Sequence, residues 1–407
     1  MSSWHPVLEG EDARLADAAI DAIAAELADF PLDEDSVTLA RGLPGAALFY
    51  AYRAFDRDDA QSRNQAAEAL ERAVGLVMER PAGPYLFPGV TGLAWVVEHA
   101  GARLGMLGDD DPNADVDELC LELLAHPASD NAFELMRGVS GLAIYALERL
   151  PRPAARQILA GVVDALESMA TLDGEHATWR TPPERLPPAK RDHWPAGYLS
   201  LGVAHGVPGV LVALAGAVKH GVEAERAARL LERGLHGLWA HRLDGEYAAF
   251  PTIAGERTPA RAAWCYGDPG IAGTMLAAST AAGLRDWQER AAGLMRLAAR
   301  RPSPTRAIEE PTFCHGAVGL AHMFQRARVD EEVTIAARNA HRQALAMRRA
   351  GWGPGGFWTI DEAPGKAAAR VAHAGILDGC AGVGLALLAG TRSLEPDWDR
   401  LFGLSIR

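Results

Sequence analysis

Two cysteines and one histidine stand out because their side chains are ligands for a soft metal ion. Cys265 lies two residues before the first glycine of a Gly-x-x-Gly turn, and Cys314 and His315 lie directly before another such turn. Two sulfurs and one nitrogen form a Cys₂His set for zinc that is one ligand short of a closed tetrahedron. A zinc site with an open fourth position can bind a substrate. The residue types therefore predict a site that does chemistry.

The cysteines also admit plainer interpretations. Free cysteine is among the most buried residue types, so Cys265 and Cys314 could be ordinary core residues. Cys380 lies inside another glycine turn and is a candidate fourth ligand that would close the site, although the residues in that slot of the other turns favour packing. Together with Cys120, these residues make four cysteines, which could form two disulfides. A large chain whose first residues resemble no secretion signal favours free thiols instead.

The Gly-x-x-Gly turn that follows these residues recurs along the whole chain. Glycines at its start permit a tight turn and a close approach of backbone. After each turn comes a short segment that is apolar on nearly all sides, as in Val210 to Ala215, which predicts a helix buried all round. The seven turns begin at Gly42, Gly89, Gly138, Gly206, Gly267, Gly316 and Gly379.

Before each turn lies a second kind of helix, which is charged on one face. In 153–172, apolar residues recur at helical spacing from Ile158 to Met169, and charged residues lie off that stripe. Seven amphipathic helices alternating with seven buried ones predict an all-α fold with seven outer and seven inner helices. An open solenoid has polar faces on its terminal repeats, and the first and last copies lack them. The predicted fold is therefore a closed α/α toroid. The other amphipathic segments are 11–30, 61–80, 114–125, 224–243, 284–301 and 329–349.

Three long segments between the helices complete this architecture. They are predicted to form the rim at the end of the toroid where the glycine turns lie. The three segments are 173–204, 244–263 and 350–378. Trp352 and Trp358, in the last of them, are predicted to pack, with contact to a substrate as the alternative. Internal repetition makes one toroid domain over 1–407 the preferred domain organisation.

Composition excludes several classes of partner. The 407 residues are 49% apolar and carry a net charge of −13, with no long run of like charge. That balance argues against nucleic acid or an anionic membrane as the main partner. No apolar stretch is long enough to span a bilayer. A cytoplasmic protein is the expectation.

With these features, the chain resembles the lanthionine synthetase C family of lanthipeptide cyclases, which includes nisin-cyclase-like enzymes. The resemblance covers essentially the whole chain and implies an α/α toroid with one Zn²⁺ at one end. It rests on the seven glycine turns and on three signatures, Ala204-His205-Gly206, Trp264-Cys265-Tyr266-Gly267 and Cys314-His315-Gly316.

The resemblance assigns roles to particular residues. It implies Cys265, Cys314 and His315 as the zinc ligands and His205 as the acid/base residue. Arg261 matches an arginine four residues before the first ligand, and Tyr266 matches the tyrosine that follows it. Glu134 stands where the family usually has an aspartate, so the carboxylate is kept with one more methylene group.

These residues suit the addition of a peptide thiol to dehydroalanine or dehydrobutyrine. A free thiol is mostly protonated at neutral pH, and coordination to zinc deprotonates it. The enolate left by the attack must then be protonated, which makes His205 the leading general acid. Arg261 could stabilise the developing negative charge. Glu134 could orient either His205 or Arg261 by a charge-assisted hydrogen bond.

Each of these residues has a structural alternative. His205 could be bonded to backbone at a helix start, and Tyr266 could be a packed aromatic residue. Arg261 could pair with Glu256 or Asp268 at the rim. Glu134 could only cap or neutralise Arg137, and the histidines His322 and His373 are expected to be structural.

We therefore expect a stand-alone cyclase that acts on a dehydrated precursor peptide. The repeats leave no room for a dehydratase in the chain, so a separate dehydratase is an expected partner. Two alternatives remain open: an enzyme that adds glutathione to dehydroamino acids in proteins, and a non-catalytic, zinc-bearing scaffold that binds peptides. A glycosidase on an α/α barrel is disfavoured, since it needs two opposed carboxylates.

Overall fold

The structure is a computed structural model that describes residues 4–31, 33–80, 82–108, 110–125, 132–186, 188–361 and 368–407. It is helical, with two short hairpins. Four 3₁₀ turns add Glu34–Val37, Pro183–Arg185, Pro354–Gly356 and Asp397–Phe402. In chain order the elements are α1 (Gly10–Leu27), α2 (Leu43–Arg57), α3 (Ala60–Glu79), α4 (Val90–Leu104), α5 (Ala114–Ala125), α6 (Val139–Arg149), α7 (Pro153–Met169), β1 (Thr171–Asp173), β2 (His176–Thr178), α8 (Pro188–His193), α9 (Val207–Lys219), α10 (Ala224–Trp239), α11 (Asp268–Ala281), α12 (Arg285–Arg300), α13 (Ser303–Arg306), α14 (Ala317–Ala327), α15 (Glu331–Ala346), β3 (Thr359–Asp361), β4 (Ala369–Val371) and α16 (Cys380–Thr391).

The predicted alternation of helices is present in the described residues. Helices α2, α4, α6, α9, α11, α14 and α16 each begin at a glycine turn, and most of their residues are buried. Helices α1, α3, α5, α7, α10, α12 and α15 bury one face only. The ends of the second set lie within four residues of the prediction, and both ends of α5 coincide with it. The largest difference is at the carboxyl end of α10, and α1, α7 and α15 also end earlier than predicted.

The chain divides into two compact units. Unit 1 comprises Met1–Asn113 and Ala307–Trp398, and unit 2 comprises Ala114–Arg306 and Asp399–Arg407. In unit 2 the inner helices α6, α9 and α11 pack side by side, and α7, α10 and α12 each cover the inner helix that precedes them in the chain. The organisation as one domain over 1–407 stays a prediction.

In unit 1 the early helices α1 and α2 pack against the late helix α16. The inner helices pack in the order α14, α16, α2, α4, so the seventh inner helix lies beside the first. Outer helix α1, which follows no inner helix in sequence, packs on α16 and supplies the cover that α16 would otherwise lack. The indole of Trp4 donates to the carbonyl of Ala389 at 2.8 Å and ties the two ends together. The first and the seventh inner helices are thus neighbours within unit 1.

The glycine turns bring the backbone very close to itself, which explains why glycine is needed. A Cβ on Gly319 would lie 1.8 Å from the carbonyl oxygen of Phe313, six residues earlier. Comparable collisions with backbone would occur at the first glycine of every turn. Gly267 alone among those first glycines has a left-handed φ, +106°, so the fifth turn departs from the common backbone path. The chain can pass this close to itself only without side chains.

Two of the three long segments, 173–204 and 350–378, contain short helices and strands. β1 pairs antiparallel with β2 and continues directly from α7, which is why that helix ends before 172. β3 pairs antiparallel with β4 inside 350–378, while 362–367 lie outside the described residues. Trp358 is buried and donates to the carbonyl of Met347, whereas Trp352 is exposed beside Arg370. None of the helices in the described ranges has both the length and the apolar character to cross a membrane.

Candidate metal centre and its neighbours

Backbone hydrogen bonds link neighbouring turns at one position, two residues before the first glycine. In unit 1 the amide of Cys314 donates to Leu377 at 2.9 Å, and the amide of Leu377 donates to Ala40 at 2.9 Å. In unit 2 the amide of Ala204 donates to the carbonyl of Cys265 at 3.4 Å. The two cysteines therefore occupy the same register in successive turns, and the turn backbone itself holds them.

Cys265 is positioned by large side chains on either side of it. Trp264 is fully buried and donates through its indole N–H to the carbonyl of Phe402 at 2.9 Å. The ring of Tyr266 lies against Gly202, where a Cβ would be 2.3 Å from the ring and 2.3 Å from the Cys265 carbonyl oxygen. A larger residue at 202 would push the fourth and fifth turns apart.

The donor atoms of Cys265, Cys314 and His315 all lie within 4.8 Å of one another, and in the described residues no other His, Cys, Asp or Glu belongs to this group. Each sulfur belongs to a residue that is 8% exposed, and the imidazole is partly exposed. Two thiols and an imidazole at this spacing could hold a metal ion, and the donor set suits Zn²⁺.

Cys380 does not join the set. It is buried, and its thiol lies 3.7 Å from the carbonyl oxygen of Phe357. Burial raises the pKa of the Cys380 thiol, and burial together with nearby Asp117 raises the pKa of Cys120 to about 12. All four cysteines are free thiols. The interpretation of Cys380 as a packing residue is confirmed, and the disulfide alternative is excluded.

His315 rests on a buried carboxylate that sequence analysis did not single out. Nε2 of His315 lies 3.1 Å from Oε1 of Glu310. Burial works to raise the pKa of Glu310, but the hydrogen bond and charge of His315 and the bonds from Thr312 and Ile360 leave that pKa below its ordinary value. Glu310 is therefore a carboxylate under the imidazole.

Glu134 and His205 form a second pair, within unit 2. Nδ1 of His205 lies 2.6 Å from Oε2 of Glu134. Glu134 is buried and also accepts hydrogen bonds from the amides of Met136 (3.1 Å) and Arg137 (2.6 Å). The His205 side chain is 44% exposed, directly before Gly206, the N-cap residue of α9. Glu134 thus caps the third turn and orients His205, so two of its possible roles occur together.

Arg261 and Tyr266 lie in the segment before α11. Arg261 is exposed and Tyr266 is half-buried. Asp268 accepts from the amides of Ala249 and Phe250 at 2.8 and 2.9 Å, and burial raises its pKa to about 6. Glu256 accepts from the amide of Ile253. Both carboxylates are therefore directed elsewhere, and no ion pair joins either to Arg261 in the part of the chain that is described.

The other histidines of interest differ from one another. His322 is fully buried, stacks on Trp4 and lies tilted against Trp398, so it is a core residue as expected. His373 is half-buried, and its Nε2 has no hydrogen-bond partner. Burial, followed by the charge of Arg41, lowers the pKa of His373.

Comparisons with known proteins agree with this description. The family model of lanthionine synthetase C-like proteins matches residues 33–402. No curated protein matches the chain. A solved structure of nisin cyclase superposes with a TM-score of 0.74 at 18% sequence identity, over 96% of this chain and 97% of that one. This likeness shows the fold, and the prediction of an all-α, α/α toroid is confirmed.

Proposed function

Because the chain belongs to the lanthionine synthetase C-like family, we propose that it is a zinc-dependent lanthipeptide cyclase. It would add peptide cysteine thiols to dehydroalanine or dehydrobutyrine and so form lanthionine and methyllanthionine rings. The observation that carries the proposal is the gathering of two cysteines and one histidine within 4.8 Å. A set of three protein ligands is typical of a catalytic zinc site, since the fourth position is left to the substrate.

The donor set suits zinc, and Cys265, Cys314 and His315 would hold the ion. When bound, Zn²⁺ would favour the thiolate form of an incoming substrate cysteine. The two protein sulfurs belong to nearly buried residues, and a site that excludes water strengthens electrostatic interactions.

His205 is proposed as the general acid that protonates the α-carbon after the thiol has attacked. Its ring is partly exposed, as a group that meets a substrate must be. Nδ1 is held by Glu134, so Nε2 is the nitrogen that would deliver the proton. Glu134 accepts two backbone amides as well, which fixes the carboxylate and hence the ring.

Arg261 and Tyr266 are proposed to act at the same reaction. Arg261 is exposed at the start of the segment that carries Cys265, and its guanidinium would stabilise the enolate oxygen. Tyr266 packs on Gly202, and through this contact it holds the fifth turn beside the backbone that leads to His205. Of the two, Arg261 is the proposed catalytic group and Tyr266 the one that positions its neighbours.

The partners follow from this chemistry. The proposed substrate is a precursor peptide whose serines and threonines have already been dehydrated. A separate dehydratase would supply it. The protein is proposed to work in the cytoplasm, where reducing conditions keep the peptide thiols free.

Incubation with a synthetic peptide carrying one cysteine and one dehydroalanine tests the proposal. Cyclisation leaves the mass unchanged, so free thiol is measured by its reactivity with an alkylating reagent. We expect rapid loss of thiol with the zinc-loaded protein and the uncatalysed rate after treatment with a chelator. Loss at the uncatalysed rate in both samples would reject the cyclase and leave a zinc-bearing scaffold that binds peptides.

A matched peptide without cysteine separates the cyclase from its enzymatic alternative. The same donor set could take the thiol of glutathione. With glutathione present, the alternative predicts a mass gain of one glutathione on the dehydroalanine peptide. We expect no enzyme-dependent gain and rapid cyclisation of the peptide that contains cysteine.

A further inference from the structure

Glu310 is a buried carboxylate that contacts His315, one of the three proposed metal ligands. Glu310 is only 1% exposed to solvent, although glutamate is among the residues least often buried. It lies five residues before His315, on the segment that leads into the sixth turn. A buried carboxylate must be compensated by hydrogen bonds, so its partners indicate what it is for.

Glu310 is bonded to four residues of unit 1. Oε1 accepts from the hydroxyl of Thr312 and lies 3.1 Å from Nε2 of His315. Oε2 accepts from the hydroxyl of Thr359 at 2.9 Å and from the amide of Ile360 at 2.7 Å. Both oxygens are therefore anchored, and the side chain cannot turn without breaking several bonds at once.

An ionised carboxylate accepts hydrogen bonds and cannot donate them, so it selects the form of the imidazole that carries a proton on Nε2. In a neutral imidazole the other nitrogen is then the one with a lone pair for a metal ion. Histidines that ligate metals commonly donate their second N–H to a carboxylate in this way.

On the basis of the zinc site proposed above, we propose that Glu310 is the positioning residue of His315: its carboxylate accepts a hydrogen bond from Nε2–H, which leaves Nδ1 as the nitrogen that binds the metal. Glu310 acts through His315, because it is not a member of the group of possible ligands among the described residues. The same carboxylate anchors β3 through Thr359 and Ile360. The hairpin β3–β4 and the metal ligand thus share one support.

Zinc affinity tests this role without reference to catalysis. Glu310→Gln keeps the size of the side chain and removes its charge. We expect about 10- to 100-fold weaker zinc binding in competition with a chelator, with one zinc per chain still bound at saturation. The matched control is Glu309→Gln, which removes the same charge from the exposed neighbouring residue and is expected to stay within about threefold of wild type.

A double substitution separates positioning from general support of the fold. In a His315→Cys background the set is still able to bind zinc, but no imidazole remains to be oriented. We expect Glu310→Gln to cause no further loss of zinc affinity there. An equal loss in both backgrounds would overturn the proposal, since the carboxylate would then be acting on something other than His315. Complete loss of zinc in the single Glu310→Gln variant would also overturn it, because that is the behaviour of a ligand.

The proposal can also be tested on the wild-type protein, so that the result does not depend on whether a variant folds. Nitrogen-15 spectra of the zinc-loaded, histidine-labelled protein are expected to show the proton of His315 on Nε2 and the metal on Nδ1. Metal on Nε2 overturns the proposal while the cyclase proposal survives. Absence of zinc from the wild-type protein overturns both, and cyclase activity with an unaltered zinc affinity in Glu310→Gln overturns the positioning role alone.

Discussion

Nδ1 of His205 lies 2.6 Å from Oε2 of Glu134, a carboxylate that its own turn holds through two backbone amides. An imidazole held in this way loses rotational freedom, which favours one orientation towards a substrate. Removing either partner should therefore affect the same step. This relationship can be tested by kinetics.

His205→Ala is expected to lower the rate of ring formation by about 10²- to 10⁴-fold, because a general acid contributes about that much. Glu134→Gln should cost less alone and little more when His205 is already alanine, since the two side chains act as a unit. The measurement is a double-mutant cycle of kcat/KM. Zinc content should be unchanged in all three variants. Additive losses would show that Glu134 acts on a different group.

Cys380→Ala is expected to bind one zinc per chain as wild type does, whereas Cys314→Ala should lose it. Cys380 is buried against the carbonyl of Phe357 and lies outside the group of possible ligands among the described residues. The check is zinc stoichiometry after dialysis. Alkylation of the native protein should leave Cys120 and Cys380 unmodified, since burial raises the pKa of both thiols. Zinc loss in Cys380→Ala would indicate a closed, structural site.

His341 should make the protein less stable in acid. It is fully buried in α15, its Nδ1 has no partner, and burial with nearby His322 lowers its pKa to about 3. The unfolded chain takes up this proton near pH 6.5 and the folded chain only near pH 3. The free energy of unfolding therefore falls by about 1.4 kcal/mol per pH unit between those values and by no more below them.

Urea unfolding of wild type and His341→Gln across pH 7 to 4 isolates this contribution. The variant is expected to lose stability less steeply, because glutamine has no proton to gain. His220→Gln is a suitable control, since that histidine is only partly buried and its contact with the carbonyl of Arg407 is exposed. Parallel curves for wild type and His341→Gln would contradict the prediction.

Gly319→Ala is expected to destabilise the protein by about 1–3 kcal/mol, the usual cost of forcing extra atoms into a packed site. Its Cβ would lie 1.8 Å from the carbonyl oxygen of Phe313, the residue before Cys314, so zinc binding should weaken as well. Gly293→Ala is the control. No atom lies within 4 Å of the new Cβ on the exposed face of α12, and a gain of about 0.5–1 kcal/mol is expected. Urea unfolding and chelator competition measure both effects.

Much of the fold could be predicted because it follows from local sequence patterns, namely the glycine turns and the periodicity of apolar residues. The glycine turns and the apolar helices after them recur at regular register, and all fourteen helices of the two sets are found among the described residues. The end of α7 was wrong because β1 pairs with β2, and short pairings of this kind leave little periodicity to detect. The role of Asp268 was also open until its two amide partners were seen.

The metal group was predictable for a similar reason. Cys265 and Cys314 stand in the same slot of successive turns, and equal register in a repeat implies neighbouring positions in space. Glu310 carried no such signal. It follows Glu309 and looks like half of an exposed acidic pair, and its burial depends on Thr359 and Ile360, 49 and 50 residues further on. For Glu134, the choice between His205 and Arg261 required contact across 71 residues.

The packing of α1 on α16 has a consequence for how the molecule is made. The partner of α1 is a helix that comes after all the other inner helices in the chain, so during translation the apolar face of α1 must wait until α16 has emerged. Closing so large a loop costs only slightly more entropy than closing a moderate one, but it delays the step in time. Until then the apolar face of α1 is exposed and prone to aggregation, and the nascent chain is expected to need a chaperone that covers this helix.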